Sequence, residues 1–143
     1  MEIIEKLLKK TKRTIDKTIN VLVVDDSKVD RVLLIESLNR YEQLKEYNFN
    51  ITQANSVSKA YELLENEVYD LMFLDFMMDD SDGFTLLSSL TAEQKAKTPI
   101  IFVTAYGNDL IKEDCISIGA KDYISKNDLN SIQFEKTLEK ALN

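Results

Sequence analysis

Short apolar runs recur along the chain, and each is followed by a longer stretch in which apolar residues return every three or four positions. The runs are Val21 to Val24, Ile51 to Ala54, Leu71 to Leu74, Ile100 to Val103 and Tyr123 to Ser125. A short apolar run bounded by turn residues reads as a strand, whereas the wider spacing marks one face of a helix. The first, third and fourth runs are continuously apolar, as strands covered by helices on both faces must be. The second and fifth are more polar, which suits sheet edges.

The intervening helices have recognisable apolar sides. Val32, Leu33, Leu34, Ile35 and Leu38 mark the first, and Ala60, Tyr61, Leu63 and Leu64 the second. Phe84, Leu86, Leu87 and Leu90 mark a third, Leu110, Ile111, Cys115 and Ile118 a fourth, and Leu129, Ile132, Leu138 and Leu142 a fifth. Gly119 is placed to stop the fourth helix, and Pro99 stands at a strand start, where a missing N–H is tolerated. This alternation predicts an α/β doubly wound domain with a five-stranded parallel sheet. Tyr41 to Asn50 reads as an extension of the first helix followed by a polar loop. Residues 1–19 read as an additional amphipathic N-terminal helix, with Ile4, Leu7, Leu8 and Ile15 on one side and six basic residues around the rest.

Composition narrows the chemistry. At 143 residues with 44% hydrophobic side chains, one self-sufficient domain is expected, over residues 20–143. A single cysteine, Cys115, and the absence of a signal peptide or long apolar run make the reducing cytoplasm the expected compartment. The net charge of −7 disfavours nucleic acid as a partner, because phosphate-backbone binding depends on Lys and Arg. The chain has no His, which excludes Ser/His/Asp and Cys/His catalysis, His-based zinc sites and a phosphohistidine carrier.

What remains is a set of carboxylates. In doubly wound sheets ligands bind beyond the carboxyl ends of the strands. There the chain places Asp25 and Asp26 after the first strand, Asp75 after the third, Thr104 after the fourth and Lys126 after the fifth. Three carboxylates brought together repel one another, and oxygen-only ligation with few carboxylates selects Mg²⁺ as the compensating ion. Such an ion orients phosphate oxygens, which makes Asp75 the natural nucleophile for a phosphoryl group, with Lys126 and Thr104 available to its oxygens. Alternative readings exist for each residue. Asp26 with Ser27 can cap a helix, Thr104 can be an ordinary strand residue, Lys126 a surface charge, Tyr123 a packed aromatic and Cys115 a small buried apolar group.

The segments VLVVDDSKVDR, DLMFLDFMMDDSDGF, PIIFVTAYG and GAKDYISK, in this order and spacing, resemble the receiver domains of two-component response regulators, including single-domain chemotaxis regulators. The resemblance covers residues 20–143 and implies a flavodoxin-like strand order 2-1-3-4-5. It implies that Asp75 accepts a phosphoryl group from the phosphohistidine of a histidine kinase or phosphotransfer protein. It also implies that Asp26, Asp75 and the backbone carbonyl of Met77 bind Mg²⁺, with Asp25 assisting. Lys126 would contact the phosphate, and Thr104 and Tyr123 would form the switch that changes the surface offered to a downstream protein target. Such a domain is a signalling receiver with slow phosphotransfer and autodephosphorylation, not a metabolic enzyme. The length leaves no room for an output domain, so output by protein contact is expected unless the chain is part of a longer one.

Three positions depart from the family pattern. Asp79 and Asn127 stand where proline is usual, and Val57 where glycine is common. Asp79 is expected to loosen its loop. The usual Lys-Pro bond is cis, so Lys126–Asn127 is either cis under strain or trans with a reshaped loop. Two other functions compete with the receiver reading. A phosphorylation-independent interaction module of the same fold would have no need of Asp75 and Lys126, and an aspartyl phosphatase needs a carboxylate where Met77 stands. The N-terminal helix leaves three readings open: packing on its own domain, homodimerisation or partner docking, and membrane-surface binding, the last disfavoured by a short apolar side without an aromatic anchor.

Overall fold

The computed structural model describes residues 18–45, 47–79, 82–105 and 109–143, with only the backbone for 109–111. The N-terminal helix expected over residues 1–19 therefore lies outside the described residues, except at its end, where the first strand has already begun. The elements run β1 (Thr18–Val24), α1 (Lys28–Lys45), β2 (Asn48–Ala54), α2 (Val57–Asn66), β3 (Leu71–Asp75), α3 (Gly83–Ser89) and α4 (Ala92–Lys97). They continue with β4 (Ile100–Thr104), α5 (Asp109–Ser117), β5 (Asp122–Ser125), a 3₁₀ turn (Lys126–Asp128) and α6 (Ile132–Leu142). The five strands form one parallel sheet in the order β2-β1-β3-β4-β5, the expected flavodoxin-like winding.

Alternation along the buried strands separates two hydrophobic layers. Val21, Val23, Leu71, Phe73, Ile101, Val103 and Ile124 face α1 and α6, where Leu34, Leu38, Tyr41, Phe134 and Leu138 close the layer. Leu22, Val24, Met72, Leu74, Ile100 and Phe102 face the other way, against Val57 and Ala60 of α2, Leu86 and Leu87 of α3 and Cys115 of α5. Every residue of β3 and β4 is buried, so the sheet centre is rigid and its ends are fixed platforms.

Several boundaries differ from the sequence expectation, each for a local reason. β1 and β2 begin three residues earlier than their apolar runs, pairing from Thr18 with Asn48 onward. Side-chain bonds from Asn48 to Thr18 (3.2 Å) and from Asn50 to Asn20 (3.0 Å) bind the polar positions of this extension, while Ile19, Phe49 and Ile51 pack inward. The connection from β3 to β4 holds two short helices where one was expected. Leu90 ends the first, and Thr91 starts the second with a capping box: its hydroxyl accepts from the Gln94 N–H, and the Gln94 side chain accepts from the Thr91 N–H.

Gly119 behaves as expected. Its φ of +113° closes α5, with the Ala120 N–H reaching back to the Cys115 carbonyl and the Gly119 N–H to that of Ile116. Lys95 of α4 donates to the Ile118 carbonyl at 2.9 Å, adding a cation where the α5 dipole is negative.

Candidate functional site

The sheet register carries the site residues to one rim. β1 is paired to β3 through Val24 and Leu74, so Asp25 emerges beside Asp75. On the other side Asp75 pairs with Val103, and Thr104 with Ser125, which delivers Lys126 at the next position. The three carboxylates of Asp25, Asp26 and Asp75 offer oxygens that all lie within 4.8 Å of one another. Asp25 and Asp75 are each only 6% exposed, and Thr104 only 1%.

Each carboxylate has fixed partners. Asp25 accepts from the Ser27 N–H at 2.9 Å and pairs with the Lys126 ammonium at 2.9 Å. Asp26 accepts from the Asp79 N–H at 2.9 Å. Asp75 accepts from the Met77 N–H and lies 3.5 Å from Lys126 Nζ. The start of α1 is capped by Ser27, whose hydroxyl accepts from the Asp30 N–H at 3.2 Å, so Asp26 is not engaged as the cap. Arg31 holds the Asp25 carbonyl at 2.7 Å and Gln53 at 3.0 Å, pinning the end of β1 to β2.

The electrostatics follow from this packing. Burial, then the Asp25 charge, push the Asp75 carboxyl up to about 7, against the opposing pull of Lys126 and the Met77 N–H. Burial alone would lower the Lys126 ammonium, but hydrogen bonds to Asp30 and Asp25 and the charge of Asp75 raise it overall. One ammonium thus faces more negative charge than it can neutralise. The oxygen-only donor set fits a hard divalent cation, since a further positive charge is what the cluster lacks.

The departures from the family pattern take definite forms. Lys126–Asn127 is trans, with no cis bond among the described residues, and Lys126–Asp128 winds into a 3₁₀ turn whose Asn127 N–H bonds to the Ser125 hydroxyl at 3.2 Å. Asp79, expected to loosen its loop, supplies through its N–H a bond to Asp26 that proline could not make. Asp82 caps α3 by accepting from the Thr85 N–H at 2.8 Å. Gly83 then passes so close to β3 that a Cβ would stand 2.6 Å from the Asp75 carbonyl. Tyr123, in register with Phe102, packs on the layer that holds Phe76 and Phe84.

One participant was not foreseen. Asp30, in the first turn of α1, pairs with Lys126 at 2.7 Å, the shortest of the three contacts that this ammonium makes with carboxylates among the described residues. Its place in the first turn of α1 follows from the Ser27 cap, but its pairing with Lys126 leaves no local mark in the sequence.

The response regulator receiver domain family matches residues 21–136. The chain belongs to that family. Among curated proteins, this receiver domain is 32% identical over 124 residues to the transcriptional regulatory protein ZraR of Escherichia coli (strain K12). That match covers 87% of the chain and 26% of ZraR. It is 35% identical over 107 residues to the sensory transduction protein LytT of Enterococcus faecalis, covering 75% of the chain and 41% of LytT. Among solved structures, the signal receiver domain of the DNA binding response regulator protein (merR) from Colwellia psychrerythraea 34H superposes with a TM-score of 0.72 at 27% identity. That match covers 85% of the chain and 96% of the Colwellia chain.

Membership places the receiver domain in phosphorylation-dependent two-component signalling, as a switch and not a classical enzyme. The expectation of no nucleic-acid partner gains nothing from these relatives, since ZraR is named a transcriptional regulator and the chain spans less than half of either curated protein. No helix of the described residues is long and apolar enough to cross a membrane.

Proposed function

We propose that this chain is a Mg²⁺-dependent receiver switch that takes a phosphoryl group onto Asp75 from the phosphohistidine of a histidine kinase or phosphotransfer protein. The observation that carries this reading is the convergence of Asp25, Asp26 and Asp75 around one ammonium at the carboxyl rim of the sheet. A carboxylate oxygen of Asp75 forms the new O–P bond as the donor's P–N bond breaks, and the departing imidazole keeps the electron pair and takes a proton.

Asp25, Asp26 and Asp75, with the Met77 carbonyl, are the residues that would hold Mg²⁺. When bound, that ion offsets the charge that builds on the phosphoryl oxygens during transfer. Lys126 pairs with one phosphoryl oxygen, and the Thr104 hydroxyl, at the end of β4, donates to another. Drawing Thr104 towards the phosphoryl group opens space behind β4 and β5 for Tyr123 to change position. The altered surface around α5 and β5 is then read by a downstream protein. The added charge of about −1.5 to −2 provides the difference in contacts that a two-state change requires. The sites of action are cytoplasmic on this reading, and a longer protein containing this domain would add its own output.

Incubating the chain with a small phosphodonor and Mg²⁺ and recording intact mass tests the reading. One phosphoryl adduct is expected on the wild type and none on Asp75→Asn. An unmodified wild type, or an equally modified variant, would rule it out.

A further inference from the structure

Lys126 divides its ammonium unequally. It lies 2.7 Å from Asp30, 2.9 Å from Asp25 and 3.5 Å from Asp75. An ammonium has three N–H donors, and here the two shortest contacts go to residues other than Asp75. The Lys126 side chain is 18% exposed, so neither short contact is fully screened by water. An acidic residue in the first turn of a helix is favoured by the helix dipole alone, and that would be the ordinary explanation for Asp30. The dipole does not account for a 2.7 Å bond to a side chain 96 positions away in the sequence.

We propose that Asp30 is a positioning residue for Lys126: it competes with Asp75 for the ammonium while Asp75 is unmodified and so acts as a brake on phosphorylation. This rests on the reading of Asp75 as phosphoacceptor. A phosphoryl oxygen attached to Asp75 draws on the same ammonium, so part of the interaction free energy of the Asp30 pair is lost as Lys126 shifts towards it on the way to the transition state. Asp30 also adds a negative charge to a site that an anionic donor must approach. The first effect passes through Lys126 and the second does not, which separates them experimentally.

The test uses the full chain with acetyl phosphate and Mg²⁺, following the phosphoryl adduct by intact mass for long enough to measure the slower variants. Transfer breaks the acyl C(O)O–P bond, releases acetate and leaves the phosphoryl group on Asp75. Asp30→Asn is expected to raise the initial rate roughly threefold, as suits loss of one partly exposed pair, while in a Lys126→Ala background the same change moves it less than about twofold. Asp30→Glu, which retains a carboxylate, is expected to stay near the wild-type rate. An unchanged or reduced rate in Asp30→Asn overturns the brake, as does an equal increase without Lys126, which would assign the effect to general charge. A wild type that takes no phosphoryl group ends the phosphoacceptor reading and the brake together, whereas a phosphorylated wild type indifferent to Asp30 ends the brake alone.

Discussion

Asp75 combines two demands that pull against each other: it ends a strand buried on both faces, and the proposed role as phosphoacceptor needs it ionised. Its carboxyl is raised to about 7 from 3.8, by burial first and the Asp25 charge second. The sign of the stability effect follows from proton uptake. The folded state holds this proton at pH values where the unfolded chain has lost it, so stability from Asp75 is full below about pH 4 and falls as pH rises towards 7. Asp75→Asn cannot ionise. In metal-free buffer it is expected to exceed the wild type in unfolding free energy by on the order of 1–3 kcal/mol at pH 8, with the gap closing near pH 4. Urea denaturation at several pH values measures this, and a gap independent of pH would contradict the assigned cause. On the proposed reading Mg²⁺ binds the folded wild type through this carboxylate, so adding it is expected to narrow the gap at pH 8.

At the scale of elements, the turn from β3 into α3 is the most constrained part of the site. A Cβ on Gly83 would lie 2.5 Å from the Phe102 ring and 2.6 Å from the Asp75 carbonyl, and neither a packed ring nor a buried backbone moves cheaply. Gly83→Ala is expected to cost about 2–3 kcal/mol and to slow phosphorylation of Asp75, since the same displacement disturbs the β3 end. A variant with wild-type urea midpoint and phosphorylation rate would show that the loop relaxes freely. Asp82 followed by Gly83 is a local signal for this turn, because capping and steric roles depend on adjacent residues. The buried strands β3 and β4 are likewise legible, because their composition admits little else. The start of β2 was hidden because Asn48 and Asn50 are loop-forming residues by composition, and only their pairing with Thr18 and Asn20 makes them strand. The break between α3 and α4 left a readable mark, the Thr91 to Gln94 capping box, that the apolar pattern alone overlooked. Asp30 was hidden for a different reason: its role depends on a partner 96 residues away, and no local rule reaches that far.

For the whole molecule, one rim of the sheet collects residues from β1, β3, β4 and β5 and from the first turn of α1. All of the described site lies between Asp25 and Lys126. A chain beginning at Thr18 keeps every one of these residues and is therefore expected to fold and to take up a phosphoryl group at a rate within about twofold of the full chain. Intact mass after reaction with acetyl phosphate checks this, and loss of the adduct would show that residues 1–17 act on the site. Light scattering on the same pair of proteins separates homodimerisation from the other roles considered for that segment.

The bond from the Asp79 N–H to Asp26 has a consequence for how this sequence can drift. A main-chain donor is indifferent to the side chain it carries, so position 79 can exchange its acidic residue for almost any other and keep the bond. Proline alone cannot supply it. Among descendants of this chain, the residue most usual at that position in the family is the one substitution that would cut the bond, so returning to the common form would first need another donor for Asp26.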